Sequence, residues 1–74
     1  MRVLNMSPRQ EDVLNFIIKF KQTNGYSPTI REIARGINTN SINHVYTMIE
    51  ELQDKGYIKF KHGKQRTIVV LKFE

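Results

Sequence analysis

Two capping boxes near the start of the chain constrain its fold more than any other feature. The segments Ser7–Gln10 and Thr29–Glu32 each place a Gln or Glu three residues after a Ser or Thr. In a capping box these two side chains bond reciprocally to the free amides at a helix start. Pro8 suits the first helical turn, and Asn24-Gly25 predicts the end of the first helix because glycine adopts left-handed conformations. The chain therefore begins with two predicted helices.

A third predicted helix follows a short polar turn. Asn38-Thr39-Asn40 is rich in turn-forming residues, and the helix begins at Ser41 or one residue earlier. Lys55-Gly56 predicts its end, because a cation and a glycine both suit helix C-termini. Apolar residues recur at helical spacing in all three helices, which gives each helix one face for a shared core. These residues are Val13, Phe16, Ile17 and Phe20, then Ile30, Ile33, Ala34 and Ile37, then Ile42, Val45, Met48, Ile49 and Leu52.

After Gly56 the pattern changes from helical to alternating. Tyr57–Lys61 alternates apolar and basic residues, His62–Gln65 predicts a turn, and Arg66–Phe73 is β-branched and apolar. This order is typical of a β-hairpin. The expected fold class is α+β, mainly α, with three helices and a small β-hairpin in one domain over residues 1–74.

The charge balance favours a polyanionic partner. Twelve Lys and Arg against seven Asp and Glu give a net charge of +5, and the pI is about 9.8. Between Lys55 and Lys72 there are six cations and no acid. Nucleic acid is the first candidate partner and an anionic membrane surface the second.

Membrane, secreted and disulfide-rich classes are disfavoured by the sequence. No apolar run approaches the roughly 18 residues that a membrane span needs. The Met1–Met6 segment is too short for an apolar targeting signal, and the chain has no cysteine for a disulfide framework or a thiolate metal site. We expect a soluble, cytoplasmic protein associated with the nucleoid and no membrane partner.

Enzyme and metal signatures are also missing from the sequence. His44 and His62 are the two imidazoles, they lie far apart along the chain, and no thiol accompanies them. No glycine-rich phosphate motif or nucleophile–base signature occurs. The carboxylates Glu50, Glu51 and Asp54 are predicted to lie on a solvated helix face. We therefore expect no catalytic residues, no metal and no cofactor.

The uncharged segment Thr39–Thr47 points to DNA. A short capped helix, a tight turn and a second helix with a polar start match helix-turn-helix organisation. In that motif the first residues of the second helix meet base edges in the major groove. Neutral donors and acceptors discriminate between bases, whereas cations would grip the phosphates of any sequence. The predicted DNA-binding residues of this segment are Asn40, Ser41, Asn43, His44, Tyr46 and Thr47.

Structural alternatives exist for several of these residues. Asn40, Ser41 and Asn43 are good capping residues, and capping by Ser41 is compatible with a DNA contact. His44 has the alternative of an ordinary surface histidine, and Tyr46 the alternative of packing over the helix flank.

The hairpin supplies a second predicted DNA contact. Lys59 and Lys61 point to one side of the first strand while Ile58 and Phe60 point to the other. Lys61, Lys64 and Arg66, near the turn, are the predicted contacts to phosphate. The alternative is that strand lysines only protect an open sheet edge from aggregation.

Four segments of the chain together resemble the N-terminal DNA-binding domain of the LexA repressor family. They are SPRQEDVLNFI, GYSPTIREIA, SINHVYTMIEELQDKGYI and HGKQRTIVVL, and the resemblance covers about residues 4–71. It implies a winged helix-turn-helix fold, in which the hairpin is the wing, and sequence-specific binding of double-stranded DNA by a bacterial or phage-type repressor.

Carried over to this chain, the family's base-reading and backbone positions fall on residues already singled out. Ser41 and Asn43 keep the family's typical residues, whereas the family usually has small or acidic residues at His44, Tyr46 and Thr47. The resemblance therefore does not carry over the DNA sequence that is recognised. Asn38 stands where the family has a glycine, and asparagine tolerates the left-handed conformation.

LexA-type repressors continue into a serine–lysine self-cleaving domain that also dimerises them. This chain ends at Glu74, so we expect no peptidase activity from it. Without a spare amphipathic helix it is expected to be a monomer that pairs weakly on DNA, with Val69, Leu71 and Phe73 as the candidate self-contact. The alternative functions are a winged-helix module that binds protein, through Tyr46, Tyr57 or Phe73, and non-specific nucleic-acid binding.

Overall fold

Three helices and a short hairpin make up the described part of the chain. The computed structural model describes residues 7–71. The elements are α1 (Pro8–Asn24), α2 (Ile30–Gly36), α3 (Ile42–Asp54), β1 (Ile58–Lys59) and β2 (Val69–Val70). The strands are antiparallel, with Ile58 opposite Val70 and Lys59 opposite Val69. The expected fold class is confirmed.

Both predicted capping boxes are present. The Ser7 hydroxyl accepts from the Gln10 amide at 3.2 Å, and the Gln10 side chain accepts from the Ser7 amide at 3.2 Å. Thr29 and Glu32 make the same reciprocal pair at 3.2 and 2.8 Å. Gly25 follows α1 with a φ of +83°, in the left-handed conformation expected of it. The starts of α1 and α2 and the end of α1 are therefore set by local side-chain chemistry.

The turn between α2 and α3 depends on Asn38. Its φ of +63° is left-handed, as the sequence predicts for the residue that replaces a glycine. The amide of Asn38 donates to Arg35 O at 3.2 Å, and that of Thr39 donates to Ala34 O at 2.9 Å. These two bonds satisfy carbonyls at the end of α2 and turn the chain towards α3.

The core lies where the three helices meet the hairpin. All three helices present the predicted apolar faces to it, and β1 closes one side through Ile58. Burying these branched side chains stabilises the fold by about 1.5–3 kcal/mol for each fully buried residue. The side chains without solvent exposure include Val13, Ile17, Ile33, Val45, Ile49, Leu52 and Ile58.

The core differs from the predicted stripes at its margins. Phe16 and Phe20 are half-buried, because the inward face of α1 is centred on Val13 and Ile17 and the two rings lie on its flank. Leu14, Tyr57 and Ile68 are buried although the sequence did not mark them as core.

The hairpin is shorter than predicted. The prediction that its second strand begins at Arg66 is wrong: Arg66 has a left-handed φ of +58°, and pairing begins at Val69. Between β1 and β2 the chain forms a wide loop, and the side chain of Thr67 bonds across it where no strand pairing occurs. Its hydroxyl accepts from the Lys61 amide at 3.1 Å and lies 3.2 Å from the carbonyl oxygens of Lys61 and Lys64. Phe73 lies outside the described residues.

Close packing of α1 against α2 depends on Gly36. A β-carbon at this position would overlap the Phe16 ring, so only glycine allows the present approach of the two helices. The helical conformation of Gly36 is ordinary, and alanine would otherwise favour the helix by about 1 kcal/mol.

We predict that Gly36→Ala lowers the free energy of unfolding by about 1–3 kcal/mol, the usual cost of overpacking. Chemical denaturation followed by circular dichroism measures this. In a Phe16→Leu background, where a smaller side chain faces the new methyl group, the cost should shrink. An increase in stability for Gly36→Ala alone would contradict the packing argument.

Candidate nucleic-acid interface

The core face of α3 and its outer surface have different environments. Val45, Met48, Ile49 and Leu52 point into the core. The sequence-predicted residues Asn40, Ser41, Asn43, His44 and Thr47 are all exposed. Because α3 cannot rotate without exposing its core face, the first turns of the helix hold these side chains on one outer surface.

The start of α3 is capped by Ser41. Its hydroxyl oxygen accepts from the His44 amide at 3.1 Å, and its own amide donates to the Thr39 hydroxyl at 3.2 Å. The capping role considered from the sequence is therefore confirmed. This bond leaves the hydroxyl proton of Ser41 for a second partner that accepts a hydrogen bond.

Asn43, His44 and Thr47 carry the hydrogen-bonding capacity of the outer surface. The Thr47 hydroxyl donates to the Asn43 carbonyl at 3.0 Å, so its lone pairs and methyl group remain for an outside partner. The exposed Asn43 amide has both donors and an acceptor, and the His44 ring has one or two donors. This combination can distinguish base pairs in a major groove.

Tyr46 takes the structural alternative considered from the sequence. Its half-buried ring stacks on His62 at 5.9 Å between ring centroids with 12° between the planes, and lies 6.1 Å from Phe60. Both partners belong to the hairpin, so Tyr46 faces the wing and not the outer surface of α3.

Two polar contacts also attach the wing to α3. The Glu50 carboxylate lies 3.3 Å from the His62 imidazole, and the Gln53 side-chain oxygen accepts from the Phe60 amide at 2.7 Å. From the sequence, Glu50 was predicted to lie on a solvated helix face, and its contact with His62 was not predicted. Only the one-turn spacing of Tyr46 and Glu50 could have signalled a shared partner.

A buried polar junction ties α1 to the end of α3. Gln10 is 6% exposed, and its side-chain oxygen accepts from the Lys55 ammonium at 2.8 Å while its amide nitrogen donates to Glu51. Sequence reasoning assigned Gln10 only to the capping box. The junction fixes α3 against α1 at the end opposite to the predicted DNA surface.

Arg66 is exposed but bonds to residues near the start of α2. It makes two parallel bonds to the Glu32 carboxylate at 3.0 and 3.1 Å, donates to Ser27 O at 3.0 Å, and lies 4.6 Å over the Tyr26 ring. Hydrogen bonding from Arg66 is the main cause that lowers the pKa of Glu32 below its ordinary value of 4.5, with the Thr29 amide second. Contact of Arg66 with DNA stays a prediction, whereas Lys61 and Lys64 are exposed.

The chain matches one family of known proteins over most of its length. Residues 3–67 match the model of the LexA DNA binding domain. The chain belongs to this family. The resemblance stated from the sequence is thereby confirmed, and α2, α3 and the hairpin are the helix-turn-helix and wing of a LexA DNA-binding domain.

Repressors from several bacteria are similar to this chain. The LexA repressor of Moorella thermoacetica is 37% identical over 67 residues, which are 90% of this chain and 33% of that protein. The LexA repressor of Desulfatibacillum aliphaticivorans is 37% identical over 68 residues, 92% of this chain and 34% of that protein. That of Myxococcus xanthus is 36% identical over 67 residues, 90% and 30% of the two chains. The chain thus spans about a third of the length of these relatives.

A groove separates the wing of this LexA domain from its helix-turn-helix. It has a volume of about 470 Å³ and an apolar floor that includes Ile42 and Phe60. Arg31 at the start of α2 and Lys64 in the wing both line it. The lining therefore carries cations from both elements, which favours an anionic group at the groove.

The described residues contain neither a metal-binding cluster nor a membrane-spanning helix. Within residues 7–71, no three His, Cys, Asp or Glu side chains come together as a metal site requires. No helix in that range has the length and apolarity needed to cross a bilayer.

The Arg66–Glu32 pair predicts a pH-dependent stability. A carboxyl whose pKa is lower in the folded state stabilises the fold at pH values above its ordinary pKa. This contribution disappears as the pH falls through the folded-state pKa. We predict that Glu32→Gln is less stable than the wild type at pH 7 and that the difference is smaller at pH 3. Glutamine can keep the capping hydrogen bonds, so the comparison removes the charge that Arg66 and the Thr29 amide stabilise. Thermal unfolding across this range checks it, and an equal difference at both pH values would exclude the ion pair as the cause.

Proposed function

We propose that this chain is the DNA-binding unit of a transcriptional repressor that recognises a specific double-stranded DNA sequence. The observation that carries the proposal is the exposed, uncharged first half of α3, held outward by a fixed core in a chain of the LexA DNA-binding domain family. The relatives that the chain resembles are named repressors. Occupation of a promoter against polymerase is the mode of repression that such binding supplies.

The base-reading set consists of Asn43, His44 and Thr47. An asparagine bonds bidentately to adenine, a threonine methyl group contacts thymine, and a histidine donor suits guanine. Asn40 and Ser41 lie at the positive end of α3, where exposed amides and a hydroxyl favour a phosphate. We assign Tyr46 to the wing contact and not to base reading, because its ring is stacked on His62.

The wing contributes affinity through phosphate contacts. Lys61 and Lys64 are exposed, and they lie on the loop that borders the groove beside α3. Their charges act on any duplex, whereas the α3 residues act on particular base pairs. Arg66 stabilises the base of this loop through its contacts with Glu32 and Tyr26.

Assembly on DNA follows from the small size of the interface. One recognition helix and one wing contact few base pairs, and specific regulators overcome this by placing two domains on spaced half-sites. We propose a monomer in free solution that pairs on DNA. Val69 and Leu71 are exposed at the open edge of β2 and form the candidate self-contact. Sedimentation with and without a two-half-site duplex measures the number of chains.

Protein docking is the less favoured function. Among its three candidate anchors, Tyr57 is 5% exposed and Tyr46 packs on the wing, so neither is a free apolar anchor. Phe73 lies outside the described residues. Docking surfaces normally depend on accessible aromatic anchors.

The test of specific binding is selection from random duplexes at fixed salt, followed by mutation of α3. We predict that Asn43→Ala and His44→Ala each lose about 1–3 kcal/mol of discrimination between the selected duplex and a scrambled one. Titrations with both duplexes measure this. Equal loss on the two duplexes would remove these residues from base reading, and selection of no common sequence would refute the function.

Changes to the wing should lower the affinity for every duplex and leave the discrimination between duplexes unchanged. We predict that Lys61→Ala with Lys64→Ala weakens binding to selected and scrambled duplexes alike. The slope of log affinity against log salt should become shallower by about 1 for each lost phosphate contact. The matched control is Lys19→Ala with Lys21→Ala, which removes the same charge from exposed positions on α1. If both double variants change the slope equally, the wing makes no phosphate contact of its own.

A further inference from the structure

A stripe on α3 adjoins its base-reading surface and faces the wing. Tyr46 and Glu50 are one helical turn apart on this stripe, and both contact the side chain of His62. Residues at this spacing lie one above the other on a helix. A single wing residue is therefore held by two successive turns of the recognition helix.

His62 contacts its neighbours both through its aromatic ring and through its ionisable imidazole nitrogen. Its ring stacks on Tyr46 with an angle of 12° between the planes, and it meets Phe60 edge-on at 4.9 Å between centroids. Its Nε2 atom lies 3.3 Å from a Glu50 carboxylate oxygen. The first contact needs only an aromatic ring, while the second becomes an ion pair when the imidazole is protonated.

The charges around His62 have opposite signs on the two elements. Glu50 is the acid that faces it from α3, where the neutral phenol of Tyr46 is the other titratable group. Lys61 and Lys64 lie next to it in the loop itself. Protonation of His62 thus adds attraction towards α3 and repulsion towards the neighbouring wing lysines, and only the attraction acts at a 3.3 Å contact.

We propose that His62 is a positioning residue: clamped by Tyr46 and Glu50, it fixes the wing cations Lys61 and Lys64 beside the base-reading surface of α3, and the clamp tightens when His62 is protonated. This inference rests on the proposed DNA binding and deepens it. Tyr46 then acts on DNA through the wing, by stacking, and not through its hydroxyl group. Ordering the wing in advance removes an entropy cost that DNA binding would otherwise have to meet.

The clamp is tested first in the DNA-free protein by nuclear magnetic resonance. In the wild type the His62 ring protons should show upfield ring-current shifts, and Tyr46→Ala should reduce them, since only the Phe60 ring then remains beside His62. It should also broaden or shift the amides of residues 61–65. Tyr46→Phe should preserve both signals. If Tyr46→Ala leaves the His62 ring signals unchanged, the clamp does not exist, whatever the chain does with DNA.

Affinity measurements then separate stacking from base reading. Tyr46→Ala and His62→Ala should each weaken binding to the selected duplex by about two- to tenfold, the range expected from one aromatic pair. The combined effect of the double variant should be smaller than the sum of the two single effects in free energy, because both variants remove the shared Tyr46–His62 stack. Tyr46→Phe should bind as the wild type does. Loss of discrimination in Tyr46→Phe, or full additivity of the two alanine variants, would overturn the proposal.

The pH profile of Glu50→Gln distinguishes the clamp from a direct phosphate contact by His62. The clamp predicts that the wild type gains affinity from pH 8 to pH 6 and that Glu50→Gln gains less. A direct contact predicts the reverse, because removal of the acid frees the protonated ring for the phosphate. His44 is present in both proteins, so its contribution cancels in the ratio of their affinities. A wild type that binds no duplex would refute the proposed function, and the resonance test would still decide the clamp.

Discussion

The burial of one side of α3 is the constraint on which the rest of the structure depends. Val45, Ile49 and Leu52 have no solvent exposure, so any rotation of the helix would carry branched side chains into water. Each such side chain contributes about 1.5–3 kcal/mol through burial. The orientation of α3 is thus fixed by its core face, and the outward direction of Asn43 and Thr47 is a consequence of that packing. The side chains proposed to read bases are therefore placed by residues that take no part in the reading.

The other faces of α3 anchor the elements around it. At its C-terminal end, Glu51 and Lys55 bond to the side chain of Gln10, which begins α1. On the stripe beside the outer surface, Tyr46 and Glu50 hold the wing. The wing has only two paired residues in each strand, which is too little for an independent hairpin. Its position must therefore come from other contacts, which include those with α3, the Thr67 bonds across its loop and the bonds of Arg66 to Glu32 and Ser27.

Local features of this fold were predictable from the sequence, whereas contacts between distant segments were not. Capping boxes, the glycine after α1 and the left-handed Asn38 depend on residues within a few positions of each other. The partners Arg66 and Glu32 are 34 positions apart and Lys55 and Gln10 are 45 apart, and no periodicity connects them. For the same reason Arg66 was assigned to a strand. The base-reading candidates were predicted from the uncharged composition of the segment Thr39–Thr47. The orientation of Tyr46 could not be predicted without knowing where the wing lies.

The uncharged start of α3 has a physical explanation in the division of tasks between helix and wing. The helix N-terminus already attracts phosphate through its exposed amides, so a lysine there would add affinity for every sequence alike. An acid would repel the backbone. Neutral amide, hydroxyl and imidazole groups change the binding energy only when the opposing base edge matches them. Such contacts require the helix to be positioned on the bases to within the tolerance of a hydrogen bond. The electrostatic attraction to phosphate, which is the same for every sequence, has to come from a separate element at a fixed distance. In the proposed function the wing lysines meet that requirement, and the contacts of His62 with α3 help to hold the wing beside the proposed base-reading residues.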